Sequence, residues 1–360
     1  MLKSLFFPSR RLWVVALVAL FIGGPAAVTF AQQAPPSGRQ PRKLAPGVLR
    51  VIPPEPKASE LIHGPRPFPE ITQGIDPAIL NWEPNYSPKT DTLGHQGKLT
   101  IFRSSVWNLE FAFKPLRMIE VDLPHPSGQL QRKQIWYMVY RLRNMGYHQA
   151  PKRGHFVIEG GGSDRSAKWQ DGADRFGHSE FGVNEVNHTI RFFPRFVLMA
   201  HDVDKRYLDQ LMPVAIPRIQ QREDPAIKLH DSVSISTKEI EVSTDRIDKS
   251  VWGVVTWVDL DPRIDFFSIY IQGLTNAYKF EDDLDAFNLD SPPLTGRKIT
   301  TKTLQLCFWR PGDEALPTER EIRFGMPFFS NTRQIRETNE LYGVEERIDY
   351  RWFYPGMKDE

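Results

Sequence analysis

The chain of 360 residues predicts a mainly β fold, with two β-sandwich (Ig-like) domains set behind a signal peptide and a Pro-rich N-terminal segment. Three observations predict it. From Gly97 onward, apolar residues recur with a period of two in short runs, the pattern of strands with one buried face. Turn-forming residues separate those runs. Almost no stretch sustains the spacing of a long helix, and this combination favours sandwiches over layered α/β folds.

Lys3, Arg10 and Arg11 precede an uncharged run from Leu12 to Ile22, which Gly23, Gly24, Pro25, Ala26 and Ala27 follow. A positive end, a short apolar stretch and small residues form the order of a secretory signal peptide. Thr29 and Ala31 supply a small pair before a cleavage point, so residues 1–31 are expected to be removed and Gln32 to begin the mature chain. Residues 12–30 carry no charge, so an uncleaved anchor is the alternative, although Gly23-Gly24-Pro25 would break its helix. The expected location is exported in either case: periplasmic, cell-envelope or extracellular. The membrane is met only through this N-terminal segment, and only if it is uncleaved.

Residues 32–92 hold thirteen of the thirty prolines, each of which fixes φ and removes a backbone donor. Residues 32–95 therefore predict an extended linker as far as about Ser59. A packing arm follows, anchored by Ile71, Ile75, Ile79, Leu80 and Trp82.

Residues 96–217 form the first expected sandwich. Trp107, Leu109, Phe111 and Phe113 alternate with Asn108, Glu110 and Ala112, and Ile119, Val121 and Leu123 with Met118, Glu120 and Asp122. Ile135 to Leu142 is apolar on both faces, the mark of a central strand. Phe156 to Ile158 and Ile190 to Met199 add strand material, with Pro194 implying a bulge or edge in the second. The Gly-rich stretch between them, Glu159 to Asn187, reads as a surface loop. Tyr207, Leu208, Leu211 and Met212 have helical spacing behind a capping Asp204.

The polar run at residues 218–227 predicts an interdomain connector, and residues 228–360 the second sandwich. Its strands are expected around Leu229, Val233 and Ile235, then at Val251 to Val258, Phe266 to Ile271, Leu304 to Trp309, Ile322 to Phe324 and Tyr350 to Tyr354. Tyr137-Met138-Val139-Tyr140 before Asn144 echoes Phe267-Ser268-Ile269-Tyr270 before Asn276, which suits two domains of similar topology.

The charge of +2 falls to near balance, 43 basic against 44 acidic residues, once Lys3, Arg10 and Arg11 are removed, so nothing favours a nucleic-acid partner. Cys307 is the single cysteine, which excludes an intramolecular disulfide; inside an apolar run it reads as a packed side chain. Glu159-Gly160-Gly161-Gly162-Ser163 lacks the lysine of a phosphate loop, and Gly177-His178-Ser179-Glu180-Phe181-Gly182 has its second glycine one residue late for a nucleophile elbow.

Glu281, Asp282, Asp283, Asp285 and Asp290 offer oxygens to calcium but lack EF-hand spacing, so a solvated loop is the simpler reading. Asp259, Asp261 and Asp265 around Pro262 read as a turn. His201 with Asp202 and Asp204 is the nearest approach to a metal-ligand group, without a second histidine beside it. No catalytic, cofactor-binding or metal residue is assigned, and no cofactor is expected. Trp252, Trp257, Trp309, Trp352, Phe353 and Tyr354 would suit stacking on sugars, but sandwich cores use aromatics equally heavily.

The segments YRLRN (140–144), LMPVAIPRIQQREDP (211–225) and VDLDPRIDFFSIYIQGLTNAY (258–278) give the chain a resemblance to uncharacterised exported proteins of planctomycete-type bacteria. The resemblance covers most of residues 100–310. It implies export and the division into two domains, and no activity. The expected function is an exported, non-catalytic structural or interaction component of the bacterial cell envelope, with an envelope protein or polysaccharide as partner. The alternative is an envelope hydrolase or carbohydrate-binding protein acting on polysaccharide.

Overall fold

A computed structural model describes residues 49–68, 97, 100–124, 128–146, 148–150, 155–159, 166–170, 188–244, 246–283, 286, 292, 294–310 and 322–357. The signal segment, the anchors from Ile71 to Trp82, Gly160 to Ser163, Gly177 to Gly182, Asp285 and Asp290 lie outside the described residues. No helix among the described residues is long and apolar enough to cross a membrane.

The first half of the chain supplies β1 (Arg50–Ile52), β2 (Ile62–Arg66), β3 (Thr100–Arg103), β4 (Glu110–Phe113), β5 (Arg117–Pro124), β6 (Leu130–Arg143), β7 (His155–Glu159), β8 (Ser166–Gln170), β9 (Ile190–Arg191), β10 (Arg195–Ala200) and β11 (Lys205–Leu208). Helix α1 (Ile216–Glu223), β12 (Leu229–His230), α2 (Ser232–Ser236) and β13 (Glu239–Ile240) follow. The remainder is β14 (Val251–Val258), β15 (Phe266–Gln272), β16 (Tyr278–Asp282), β17 (Arg297–Thr301), β18 (Thr303–Trp309), β19 (Arg323–Phe324), α3 (Thr332–Tyr342) and β20 (Tyr350–Phe353).

Two six-stranded sheets dominate. One has the order β1-β4-β6-β14-β12 with β5 also on β6, and the other β11-β10-β15-β18-β19 with β20 also on β18. Their inner faces share one core. Trp136, Met138, Tyr140 and Leu142 of β6 meet Phe196 and Leu198 of β10, Phe267 and Ile269 of β15, and Leu306 and Phe308 of β18. Trp136 packs edge-on to Phe267 with centroids 5.6 Å apart, and Phe113 edge-on to Phe308 at 6.0 Å. The fold is thus a β-sandwich, and the echoed segments 137–140 and 267–270 lie on its two facing sheets.

This corrects the domain division. Strand β6 pairs with β14 over eight residue pairs, and β10 pairs with β15 over six, so strands from both sides of residues 218–227 build both sheets. The physical reason is that β6 is apolar on both faces and flanked by strands at both edges, and β14 is its neighbour at one of them. Period-two patterning reports a strand but not its partner. Tyr140 lies across Gly253 of β14, where a Cβ would come within 2.3 Å of the ring, so this cross-strand fit admits only glycine.

The expected connector is a docked helix. Pro217 opens α1, where a missing N–H costs nothing, and Ile219 is fully buried. With Ala215 it covers Ile135, Tyr137 and Val139, the outer face of β6. Glu223 takes ion pairs from Lys114 (3.4 Å) and Arg117 (3.1 Å) and a hydrogen bond from the Tyr137 hydroxyl (2.9 Å). Arg222 donates to the Met118 carbonyl at 2.6 Å.

Several local expectations also change. Residues 205–208 form edge strand β11 rather than a helix, because their backbone pairs with β10 and Tyr207 packs against the shared core; Asp204 before it sits at φ 47° in the turn. Residues 232–236 are helix α2, capped by the Asp231 carboxylate accepting from Ser234 N. The loop expected over 159–187 begins with the β7–β8 hairpin. Ile190 to Met199, expected as one strand with a bulge or edge at Pro194, is instead two strands, β9 on β13 and β10 inside the second sheet, separated by residues 192–194.

The Pro-rich segment is tied down earlier than expected. Arg50–Ile52 adds to β4, and Glu60, fully buried, forms an ion pair with Lys302 at 2.6 Å. Tyr354 donates to the same Glu60 oxygen at 2.8 Å, and Trp352 Nε1 donates to the Pro53 carbonyl at 3.1 Å. Lys302 also donates to the Glu55 carbonyl.

Replacing Trp136 by Ala is expected to cost about 3–5 kcal/mol in urea unfolding, the range for emptying a large core site. An unchanged midpoint would contradict the central position of β6. Glu60→Gln is expected to cost about 3–5 kcal/mol because it leaves the Lys302 charge buried without its counter-ion. Pairing it with Lys302→Met should recover much of that loss in a double-mutant cycle.

Candidate functional site

Alternation along the second sheet turns one set of side chains away from the core. On β15 the core takes Phe267, Ile269 and Ile271, leaving Ser268, Tyr270 and Gln272 outward. Register aligns them with neighbours on the same face: Arg195, Val197 and Met199 of β10 lie opposite Gln272, Tyr270 and Ser268. On the other side, Gln305 and Cys307 of β18 lie opposite Tyr270 and Ser268, and Phe353 of β20 lies opposite Thr303. Arg206 of β11 stands beside Met199.

Helix α3 covers one end of this face. Asn331 caps it by accepting from Arg333 N, and Gly343, at φ 67°, ends it in the left-handed conformation that glycine adopts without strain. Tyr342 is buried against Cys307 and Met326, and its hydroxyl donates to the Phe308 carbonyl. The uncovered end is a cleft of about 460 Å³ lined by β10, β15, β18, the end of α3 and residues 353–356. That volume is within the usual range of ligand sites.

A buried polar network lies beneath the cleft and reaches its lining at His201. Gln305 Nε2 donates to Ser268 Oγ at 3.0 Å, and His201 Nε2 lies 2.9 Å from the same oxygen. The Ser268 hydroxyl itself donates to Cys307 Sγ at 3.9 Å, so the oxygen is enclosed by three side chains. Arg351 donates to Gln305 Oε1 (2.8 Å) and to the Gly343 carbonyl (3.0 Å), fastening the end of α3 to the sheet. Burial lowers the His201 pKa to about 4 against a smaller opposing effect of Asp202 and Asp204, so the ring is neutral near pH 7. Burial pushes the Cys307 thiol up to about 12, far from the thiolate range of a nucleophile.

At the mouth, Arg195 and Arg206 are exposed, and their side chains make no hydrogen bond or ion pair among the described residues. Tyr270 and Phe353 are half-buried, with ring centroids 6.0 Å apart and planes inclined at 55°. Gln272 Nε2 donates to Thr303 Oγ1 at 3.1 Å.

The residues singled out from sequence are largely used elsewhere. Asp202 caps the next strand by accepting from Phe266 N at 3.2 Å, so it does not join His201 as a ligand. Asp282 binds Arg297 (2.6 Å) and Arg66 (3.3 Å). Asp259 binds Lys133, while Asp261 binds Lys205 and Arg263; hydrogen bonds from Arg263 and Lys205 hold its carboxyl well below the usual carboxylate range. Asp265 lies 3.7 Å from Arg310. No group of three or more His, Cys, Asp or Glu side chains among the described residues could hold a metal ion.

Of the six aromatics, Trp257, Trp352 and Tyr354 are buried, Trp252 packs against the cluster under α1, and Trp309 lies under Arg323. Phe353 alone lines the cleft. Sequence reasoning passed over Tyr270, Gln272, Arg195 and Arg206; the signal for the first two was the polar half of the alternation in Phe266 to Gln272.

The neutral His201 predicts a pH dependence. Its folded pKa, near 4, lies below the ordinary value of about 6.5, so the unfolded chain binds the extra proton first. The contribution is full above about pH 6.5 and is lost as pH falls from there towards 4. Burial also lowers the pKa of His63, His148 and His230, adding in the same direction. Urea midpoints of the native protein should fall across this window, and less steeply in His201→Gln. Equal slopes would place His201 in water.

No family model matches this chain, and no curated protein or solved structure matches it either.

Proposed function

We propose that this chain is an exported, non-catalytic component of the bacterial cell envelope that engages its partner through the cleft over β10, β15 and β18. The observation that carries this reading is the contrast between the network beneath the cleft and its mouth. Beneath the cleft, Ser268 is fully buried and its oxygen is already engaged by Gln305 and His201. At the mouth, exposed arginines stand beside half-buried aromatic rings, groups that hold a ligand rather than transform one. The basic, apolar and small-residue order of the first 31 residues supports export.

An envelope hydrolase acting on polysaccharide is the second reading, favoured by the 2.9 Å contact of His201 with Ser268. It requires the Ser268 oxygen to reach substrate, and that atom lies beneath Tyr342, Gln305 and Cys307.

Both readings are tested on the exported chain in its own cells. The protein should fractionate with the envelope beginning near Gln32, and cross-linking should capture envelope partners there. Purified protein should give no turnover on polysaccharide substrates, and Ser268→Ala should leave the cross-links intact. Turnover abolished by Ser268→Ala or His201→Ala would establish the hydrolase instead. Recovery from the cytoplasm with Met1 in place would overturn export.

A further inference from the structure

The geometry points to a ligand class for this cleft: the acidic sugar units of an envelope polysaccharide, a uronic-acid glycan. The inference rests on the cleft being the partner-binding surface proposed above and names what fills it.

Charge complementarity comes first. Arg195 and Arg206 stand on neighbouring strands without a protein counter-ion among the described residues, and His201 contributes no charge near pH 7. Arg195 and Met199, beside which Arg206 stands, are separated by four positions on β10, about 13 Å at strand rise. That spacing is wider than one sugar ring, so it suits carboxylates on separate units of a chain. Both side chains are guanidinium groups, whose fork matches a carboxylate with two parallel hydrogen bonds.

The surface between the arginines is amphipathic in the way that a sugar ring requires. Tyr270 and Phe353 offer apolar ring faces to the C–H face of a pyranose. Gln272, whose Nε2 donates to Thr303 Oγ1, offers its Oε1 and its second Nε2 proton to its hydroxyls, and Glu340 on the α3 rim accepts from hydroxyls.

An acidic peptide fits less well. The cleft lies on the face of the sheet, where backbone N–H and C=O groups are consumed by the β10–β15–β18 ladders, so a peptide cannot add as a strand there. What the face offers is side chains alone, which suits a ligand recognised by ring faces, hydroxyls and charge.

The test is calorimetric titration of the mature chain with short oligogalacturonides, the neutral oligogalactosides of equal length, and poly-glutamate. Oligogalacturonides should bind, more weakly as salt rises, and the neutral oligomers at least about tenfold more weakly. Arg195→Glu with Arg206→Glu, both exposed and outside the core, should weaken oligogalacturonide binding by about tenfold or more. Tyr270→Ala should do the same while Tyr270→Phe retains binding, with unfolding midpoints checking that each variant is folded.

Absence of oligogalacturonide binding, or binding untouched by the charge reversal, would overturn the assignment. Poly-glutamate competing with equal affinity would assign the cleft to acidic peptides and overturn it equally. If envelope cross-links persist in the native chain and disappear in the charge-reversed one while no oligogalacturonide binds, the glycan fails and the cleft remains a partner surface. If the cross-links themselves are never found, the proposed function fails as well.

Discussion

The pairing of β6 with β14 is the constraint on which the rest of this molecule depends. Eight residue pairs join them, and through them Trp136, Tyr140, Val255 and Trp257 enter one core. That core is closed from the other side by β10, β15 and β18, which also draw on both halves of the chain. Remove the β6–β14 ladder and the first sheet loses its middle, α1 loses the face it covers, and the second sheet loses its lid. The hydrophobic area shared between the sheets dominates the stability, and the ladders fix its register.

Charges then fasten the periphery to that core. Glu60 with Lys302 and Tyr354 holds the N-terminal arm against the last strand, while Glu223 with Lys114, Arg117 and Tyr137 holds α1 on the first sheet. Each carboxylate has more than one partner, the arrangement in which a buried charge is tolerated. The two clusters sit on separate parts of the sandwich, so the outer face of β10 and β15 is left without such a clamp, and there the cleft opens.

Much of this was legible in the sequence as strands and little of it as neighbours. Ile135 to Leu142 announced a central strand because both faces are apolar, and Val251 to Val258, Phe266 to Ile271 and Leu304 to Trp309 were equally plain. Their partners lie far away in the chain, and alternation carries no information about distance along it. Helix α3 was missed because it is polar nearly all round, with only Thr338 and Tyr342 buried, although Asn331 and Gly343 mark its ends. His201 and Phe353 drew notice as residue types; Arg195, Arg206 and Tyr270 became a site only when register set them side by side.

The interleaving of the two halves also governs how the molecule comes together in time. β6 has to wait for a partner that is roughly a hundred residues away, and closing so long a loop is entropically costly before any contact rewards it. High contact order of this kind makes for slow folding and leaves an apolar strand edge uncommitted while it lasts. The chain has no half that matures first. Severed within α1, its two pieces would each hold only some of the interior strands of both sheets, and they would regain structure only by complementing one another.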